Sequence, residues 1–260
     1  MMRLLGIIGG AVRRRSAFML RLFALLWGVL HEGARPSTWR RTLRAEYRAM
    51  LTRLIAGSLG TIVVTAMIIG MALVFEALYW LRTAGQQQET GRILVFVLIR
   101  EITPLLVGIV LLGRGGTVAV AELGALASSG EVAVLRAEGI DIFRFLVLPR
   151  AAAFAVAAFT LGMVFVILAL LSGFVAGSLF GVVNNSVFVF LDNVLRAMSI
   201  PDLVIFPAKL LLIGLMVALA CCATGLSAEE LDAPSSLLPR GFTRGVTSVL
   251  AVTLLLSLVI

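Results

Sequence analysis

Long apolar runs, at roughly 58 to 81, 93 to 113, 151 to 180, 203 to 226 and 243 to 260, constrain this chain more than any other feature. Continuous apolar segments near 20 residues match a hydrocarbon thickness of about 30 Å. In lipid every backbone amide and carbonyl must be bonded within the protein, which leaves only helices and closed barrels. These runs lack the alternation of barrel strands, so each reads as a helix. Hydrophobic residues fill 60% of the 260 positions, charged residues 14%, and mean hydropathy is +1.08. A single soluble core cannot hide that much apolar surface. The expected fold class is an all-α polytopic membrane protein with about five transmembrane helices plus an N-terminal interfacial amphipathic helix. Residues 1–57 form its basic, interfacial part and 58–260 its transmembrane domain, with a loop over 114–150.

A formal charge of +8 would suit nucleic-acid binding, but the placement of the charges points elsewhere. Eleven of the 22 basic residues lie between Arg3 and Arg53; Arg114, Arg136, Arg144 and Arg150 fall in the 114–150 loop, and Arg240 and Arg244 precede the last run. Only Arg82, Arg92, Arg100, Arg196 and Lys209 remain for the other side or the membrane. That asymmetry follows the positive-inside bias, giving a cytoplasmic N-terminus and, with five spans, an external C-terminus. The Arg13-Arg14-Arg15 block is the one place where a nucleic-acid patch competes with this reading. The stretch Leu4–Val12 is short, precedes three arginines and lacks a small-residue cleavage site, so no secretory signal is expected. Cys221 and Cys222 are adjacent in an apolar run and are read as packing residues.

Ser16 to Leu30 is apolar apart from Arg21 and short for a span, which suits a helix lying in the cytoplasmic leaflet among anionic head groups. Ser37-Thr38-Trp39 offers a cap for a second amphipathic helix leading into the first span. Its arginines 40, 41, 44 and 48 lie on one side and Leu43, Tyr47, Leu51 and Leu54 on another. In the loop, residues 131 to 138 between Gly130 and Gly139 predict two helical turns with a glycine C-cap. Beyond the third span, Ser186 to Met198 predicts a helix with Asp192 and Arg196 at i,i+4. Pro201 and Pro207 bracket the entry to the fourth span, and Lys209 is expected to snorkel outward there.

Constellations for bond chemistry are missing from the pattern. His31 has no cysteine or acidic cluster near it at metal-ligand spacing. Gly113-Arg114-Gly115-Gly116-Thr117 lacks the lysine of a phosphate loop and follows no strand, so any ATP that drives this chain is bound by a partner subunit. No cofactor, metal site or catalytic residue is expected. Ionisable residues inside the spans are the sharper signal, because charge at bilayer depth is costly and faces a cavity or partner. Glu76, Arg100 and Glu101 qualify. Glu76 and Arg100 sit where the first two spans form a hairpin and are expected to approach each other, either as a structural ion pair or as the wall of a head-group cavity.

The run Arg100-Glu101-Ile102-Thr103-Pro104, then Gly113-Arg114-Gly115-Gly116-Thr117, Ala121-Glu122-Leu123-Gly124, and Leu135-Arg136-Ala137-Glu138-Gly139-Ile140-Asp141 with Pro149-Arg150 resembles the signature of the MlaE permease family. These permeases are the membrane subunits of MCE-type lipid ABC transporters. The resemblance implies a homodimeric permease in a bacterial inner membrane, moving phospholipid through a cavity between two copies. It implies as partners an ABC ATPase subunit, an external MCE-domain protein, a small STAS-type subunit and membrane lipids, with no nucleic acid. Glu101 resembles the acidic position at the lipid cavity. Glu131, Val134, Leu135, Arg136, Glu138, Gly139 and Asp141 resemble the coupling helix that touches the ATPase. The chain departs from the family pattern at Glu76, where glutamine is usual, at Ile142, where proline is usual, and across the final loop from Glu229 to Arg244. Two other classes stay open: an ion-coupled secondary transporter, which the lack of repeated broken helices disfavours, and a membrane scaffold that transports nothing.

Overall fold

The computed structural model describes residues 20, 22–35, 41–86, 89–183, 186–228 and 234–258. Arg13-Arg14-Arg15, the expected cap at Ser37-Thr38-Trp39 and Glu229 lie outside these residues. Among the described residues the chain is helical and holds no strand. The helices are α1 (Leu22–Gly33), α2 (Arg41–Thr83), α3 (Thr90–Ser128), α4 (Glu131–Ala137), α5 (Phe143–Leu179), α6 (Val187–Ala197), α7 (Ile200–Gly225) and α8 (Pro234–Ser257). Four of them, α2, α3, α5 and α7, are long and apolar enough to cross a membrane, and α1 is a shorter apolar helix. The molecule is an all-α polytopic membrane protein.

Helix lengths refine the expected segments. α2 is one unbroken helix of 43 residues. At 1.5 Å per residue it reaches about 65 Å, twice the hydrocarbon thickness. The basic amphipathic segment and the first span are therefore a single rod, with Arg41, Arg44, Arg48 and Arg53 on the part too polar to be buried in lipid. At the other end of the chain, the expected loop up to Arg244 is helical from Pro234 onward. Arg240 and Arg244 thus lie within α8, and only its second half is continuously apolar.

α5 is the central element. It packs along α2 on one side and α7 on the other, while α8 and the second half of α3 close around α7. Phe154, Phe165 and Leu161 of α5 and Leu210 of α7 are fully buried in this core. The long helices alternate in direction, so α4 lies at one end of the bundle and α6 at the other. Ser186 caps α6 by accepting from the Val189 amide, and its Asp192 and Arg196 pair at 2.7 Å, as the spacing predicted. Ser199 and Asp202 cap α7 reciprocally, with Pro201 in the first turn. Cys221 and Cys222 are both buried and free.

Among the described residues, helical segments are widened to π geometry at Gly70–Val74, Val95–Ile102, Leu112–Gly116 and Phe143–Val147. At the first of these the backbones of α2 and α5 touch. A β-carbon added at Gly173 of α5 would collide with Val74 and lie 2.6 Å from the Gly70 carbonyl oxygen. Small residues let membrane helices approach this closely, where packing replaces the hydrophobic effect as the source of association. Gly57, on the same α2 rod, faces open space. Gly173→Ala is expected to destabilise the protein by about 1–3 kcal/mol through forced separation of α2 and α5. Gly57→Ala is expected to be neutral or stabilising by about 0.5–1 kcal/mol. Thermal midpoints of the two variants in one detergent distinguish them, and equal shifts would disprove this packing.

Candidate functional site

Two charged residues of α3 leave the helix side by side and meet two charged residues of α7. Arg100 Nη2 lies 2.5 Å from Asp202 Oδ1, and Lys209 Nζ lies 3.2 Å from Glu101 Oε1. Arg100 and Glu101 do not pair with each other, as their roughly 100° angular offset on a helix requires. Asp202 and Lys209 are seven residues apart, two turns along one face of α7, so a single helix face can receive both. Lys209 is 1% exposed and therefore points into the bundle, contrary to the outward snorkelling expected for it. Its ammonium also donates to the Arg100 carbonyl at 2.7 Å and to Ser257 Oγ of α8 at 2.9 Å. Ser257 Oγ in turn lies 2.7 Å from Glu101 Oε1, which brings α3, α7 and α8 together at one polar knot.

Around Arg100 the first half of α3, the end of α6 and the start of α7 enclose an open cavity of about 660 Å³. Its wall includes Glu89, Arg92, Phe96, Arg100, Ser199 and Asp202. The Arg100 guanidinium sits 5.9 Å from the centre of the Phe96 ring, a cation–π distance. Arg92 and Glu89 approach at 3.8 Å, so the cavity carries two cation–carboxylate pairs and no formal excess of either sign. Glu76 is exposed on α2 and lies apart from this wall. The expected approach of Glu76 to Arg100 is thus not formed: Asp202, 102 residues beyond Arg100 in the chain and buried beside the guanidinium, takes that place. Glu101 is likewise not on the wall; its carboxylate, 37% exposed, turns toward Lys209.

The opposite end of the bundle carries the short loop helix. Gly130 and Gly139 flank α4 in left-handed conformations (φ 79° and 77°), which only glycine adopts without strain, so both boundaries follow from the sequence. Glu131 occupies the first turn and Arg136 the last, each complementing the helix dipole. Val132 is buried and pins α4 to the bundle, whereas Val134 is 57% exposed. Leu135 is half-buried against the core, so it supports the helix from beneath more than it presents a contact surface. Glu138 forms the C-cap, and the Asp141 carboxylate accepts the Phe143 amide at 3.0 Å to start α5.

Two ion pairs missed in the sequence hold this end. Glu32 of α1 meets Arg144 at 3.0 Å, and Arg150 of α5, which is buried, meets Glu122 of α3 at 3.2 Å. Each joins residues far apart in the chain, and no periodic pattern marks them. The second pair ties the end of α3 to the start of α5, the two helices that flank α4; the expected 114–150 loop is thus helical as far as Ser128 and again from Phe143. Gly28 of α1 abuts Phe143, where an added β-carbon would come within 2.9 Å of the ring. The hydrophobic side chains Phe23, Trp27 and Leu30 of α1 stay exposed, a stripe suited to the membrane interface.

Comparison with known proteins identifies the family. The family model described as Permease MlaE matches residues 48–260. The chain is 28% identical over 196 residues to "Protein TRIGALACTOSYLDIACYLGLYCEROL 1, chloroplastic" of Arabidopsis thaliana, covering 73% of this chain and 52% of that protein. It is 28% identical over 177 residues to "Probable ABC transporter permease protein slr1045" of Synechocystis, covering 65% of this chain and 64% of the relative. It is 24% identical over 139 residues to "Intermembrane phospholipid transport system permease protein MlaE" of Haemophilus influenzae, covering 50% and 53% respectively. The match thus spans between half and two thirds of the length of these relatives. With its match running from near the start of α2 through the described end of α8, the chain belongs to the MlaE permease family.

Proposed function

We propose that this chain is the membrane-spanning permease of an ATP-driven lipid transporter of the MCE type, with phospholipid as its cargo. The observation that carries the reading is the division of the bundle into two working ends within a chain of the MlaE family: a charged cavity beside α6 and an exposed lever helix, α4, at the other end. Arg41, Arg44, Arg48 and Arg53 of α2, with Arg136 and Arg144 beside α4, lie at the α4 end, which the positive-inside bias makes cytoplasmic, while Arg82 sits at the far end of α2. Exposed Tyr79 and Trp80 near the end of α2 suit the aromatic belt of the external interface. With α8 as a fifth crossing beside the four long apolar helices, this orientation makes the N-terminus cytoplasmic and the C-terminus external, in a bacterial inner membrane.

In the proposed mechanism two copies of the chain form the transport path. A separate ATPase subunit binds α4 on the cytoplasmic side, and an MCE-domain protein receives or delivers lipid outside; a STAS-type subunit is a further partner of the same assembly. The permease performs no bond chemistry. Each ion pair at the cavity can open to exchange partners with a lipid head group, Arg92 or Arg100 taking a phosphate and Glu89 or Asp202 taking an amine. Exposed apolar helix faces next to the cavity, such as Ile200, Leu203 and Val204 of α7, accommodate the acyl chains. Closure of the ATPase dimer pushes α4, and the Glu122–Arg150 pair passes that push from the loop into α3 and α5.

Reconstituted vesicles test the class of function. Lipid movement that requires the ATPase and ATP supports the proposal; movement driven by a proton gradient instead indicates an ion-coupled transporter, and no movement under either condition indicates a scaffold. Val134→Asp is expected to lower ATPase association and ATP-driven lipid movement together, by about tenfold or more, because it places a charge in the contact patch at a position that supports no core packing. Leu135→Asp lowers both as well but also damages the seat of α4, visible as a lower thermal midpoint. Transport unaffected by Val134→Asp rules out the lever role. Arg100→Ala leaves Asp202 buried without its cation at a cost of about 3 kcal/mol, the low end for such a pair because the guanidinium is 22% exposed. Lipid co-purifying with that variant is expected to fall several-fold while ATPase binding persists; undiminished lipid content would remove Arg100 from the site.

A further inference from the structure

Pro104 stands four residues after Arg100 in α3. In an α-helix the amide at that position donates to the Arg100 carbonyl, and proline has no amide proton to give. The carbonyl lies in a membrane-spanning helix, where water cannot be relied on to replace the donor. Thr103 does not serve this carbonyl: its amide and its hydroxyl both bond to the Leu98 carbonyl, at the end of the widened segment Val95–Ile102. Lys209 Nζ lies 2.7 Å from the Arg100 carbonyl oxygen. An ammonium has three protons, and Lys209 meets three acceptors, the second and third being Ser257 Oγ at 2.9 Å and Glu101 Oε1 at 3.2 Å.

We propose that Lys209 is a positioning residue whose ammonium replaces the amide proton missing at Pro104. By closing that gap it fixes the direction in which Arg100 leaves α3 toward Asp202 and the cavity. The carboxylate of Glu101 pairs with the ammonium at 3.2 Å; the bond to the backbone sets the geometry of the helix. A methionine at position 209 fills similar space but leaves the carbonyl unbonded, whereas alanine at position 104 restores the intrahelical donor and makes the lysine's backbone bond dispensable. The two positions are therefore coupled through one oxygen atom. The effect on lipid rests on the cavity reading given above; the backbone bond does not.

A double-mutant cycle tests the coupling. All four proteins carry Glu101→Gln, so that no carboxylate is left unpaired, with Lys209→Met and Pro104→Ala introduced singly and together. The purified permease–ATPase complex is followed by hydrogen exchange of residues 98–106 and by phospholipid retained after exposure to phosphatidylethanolamine and phosphatidylglycerol vesicles. With Pro104 present, Lys209→Met is expected to raise exchange about tenfold and to lower retained phospholipid about fivefold, the effect of leaving a buried acceptor unbonded. In the Pro104→Ala background the same change is expected to alter each by less than about twofold. Equal effects in both backgrounds would show that Lys209 acts through packing alone and would overturn the proposal. If Lys209→Met does not assemble, recovery of assembly by Pro104→Ala supports the proposal and continued failure overturns it. If even the unsubstituted complex retains no phospholipid, the cavity reading fails, and the exchange cycle still decides the role of Lys209.

Discussion

Charge inside a bilayer is tolerated only where another charge or a set of hydrogen bonds answers it, and the α3–α7 contact is built around that demand. Arg100 and Glu101 are answered by Asp202 and Lys209, and the two pairs fix both the rotation of each helix and their mutual register. A slip of one residue along α7 would turn both partners about 100° away from the contact. The cavity inherits its shape from this register, because Arg100 and Asp202 are on its wall while Glu101 and Lys209 stand behind it. One contact thus serves as both fastening and lining.

The architecture was largely legible in the sequence, since apolar runs of spanning length leave few structural options and glycines at 130 and 139 announce the ends of α4. The limits of the legible part are physical. Arg240 and Arg244 made the start of α8 read as a loop, but a helix end close to a membrane surface can carry arginines whose long side chains reach polar surroundings. Likewise α2 read as two pieces because its composition changes midway, although nothing in its backbone interrupts the helix.

The site was legible in its residues and not in its pairings. Arg100 and Glu101 drew attention because charge in a span is conspicuous, and the same reasoning drew in Glu76, which stays exposed on α2. Asp202 was not singled out, and Lys209 looked able to reach the surface. Their true placement depends on which face of α7 turns inward, a property set by packing against α5 and α8. Glu122 and Arg150 illustrate the same limit: both lay in motifs, but their contact across 28 positions needed the helices assembled.

Backbone contact between α2 and α5 at Gly70 and Gly173 has a mechanical corollary. Where side chains separate two helices, small rotamer changes let them slide; where backbone touches backbone, no such slack exists. These two rods must move as one stiff girder. The same holds for α7, because a β-carbon added at Gly214 would collide with the Phe154 carbonyl oxygen of α5. α8 differs: its glycines 241 and 245 meet Val120 and Leu112 of α3 through side chains, so the slack of the bundle is found there.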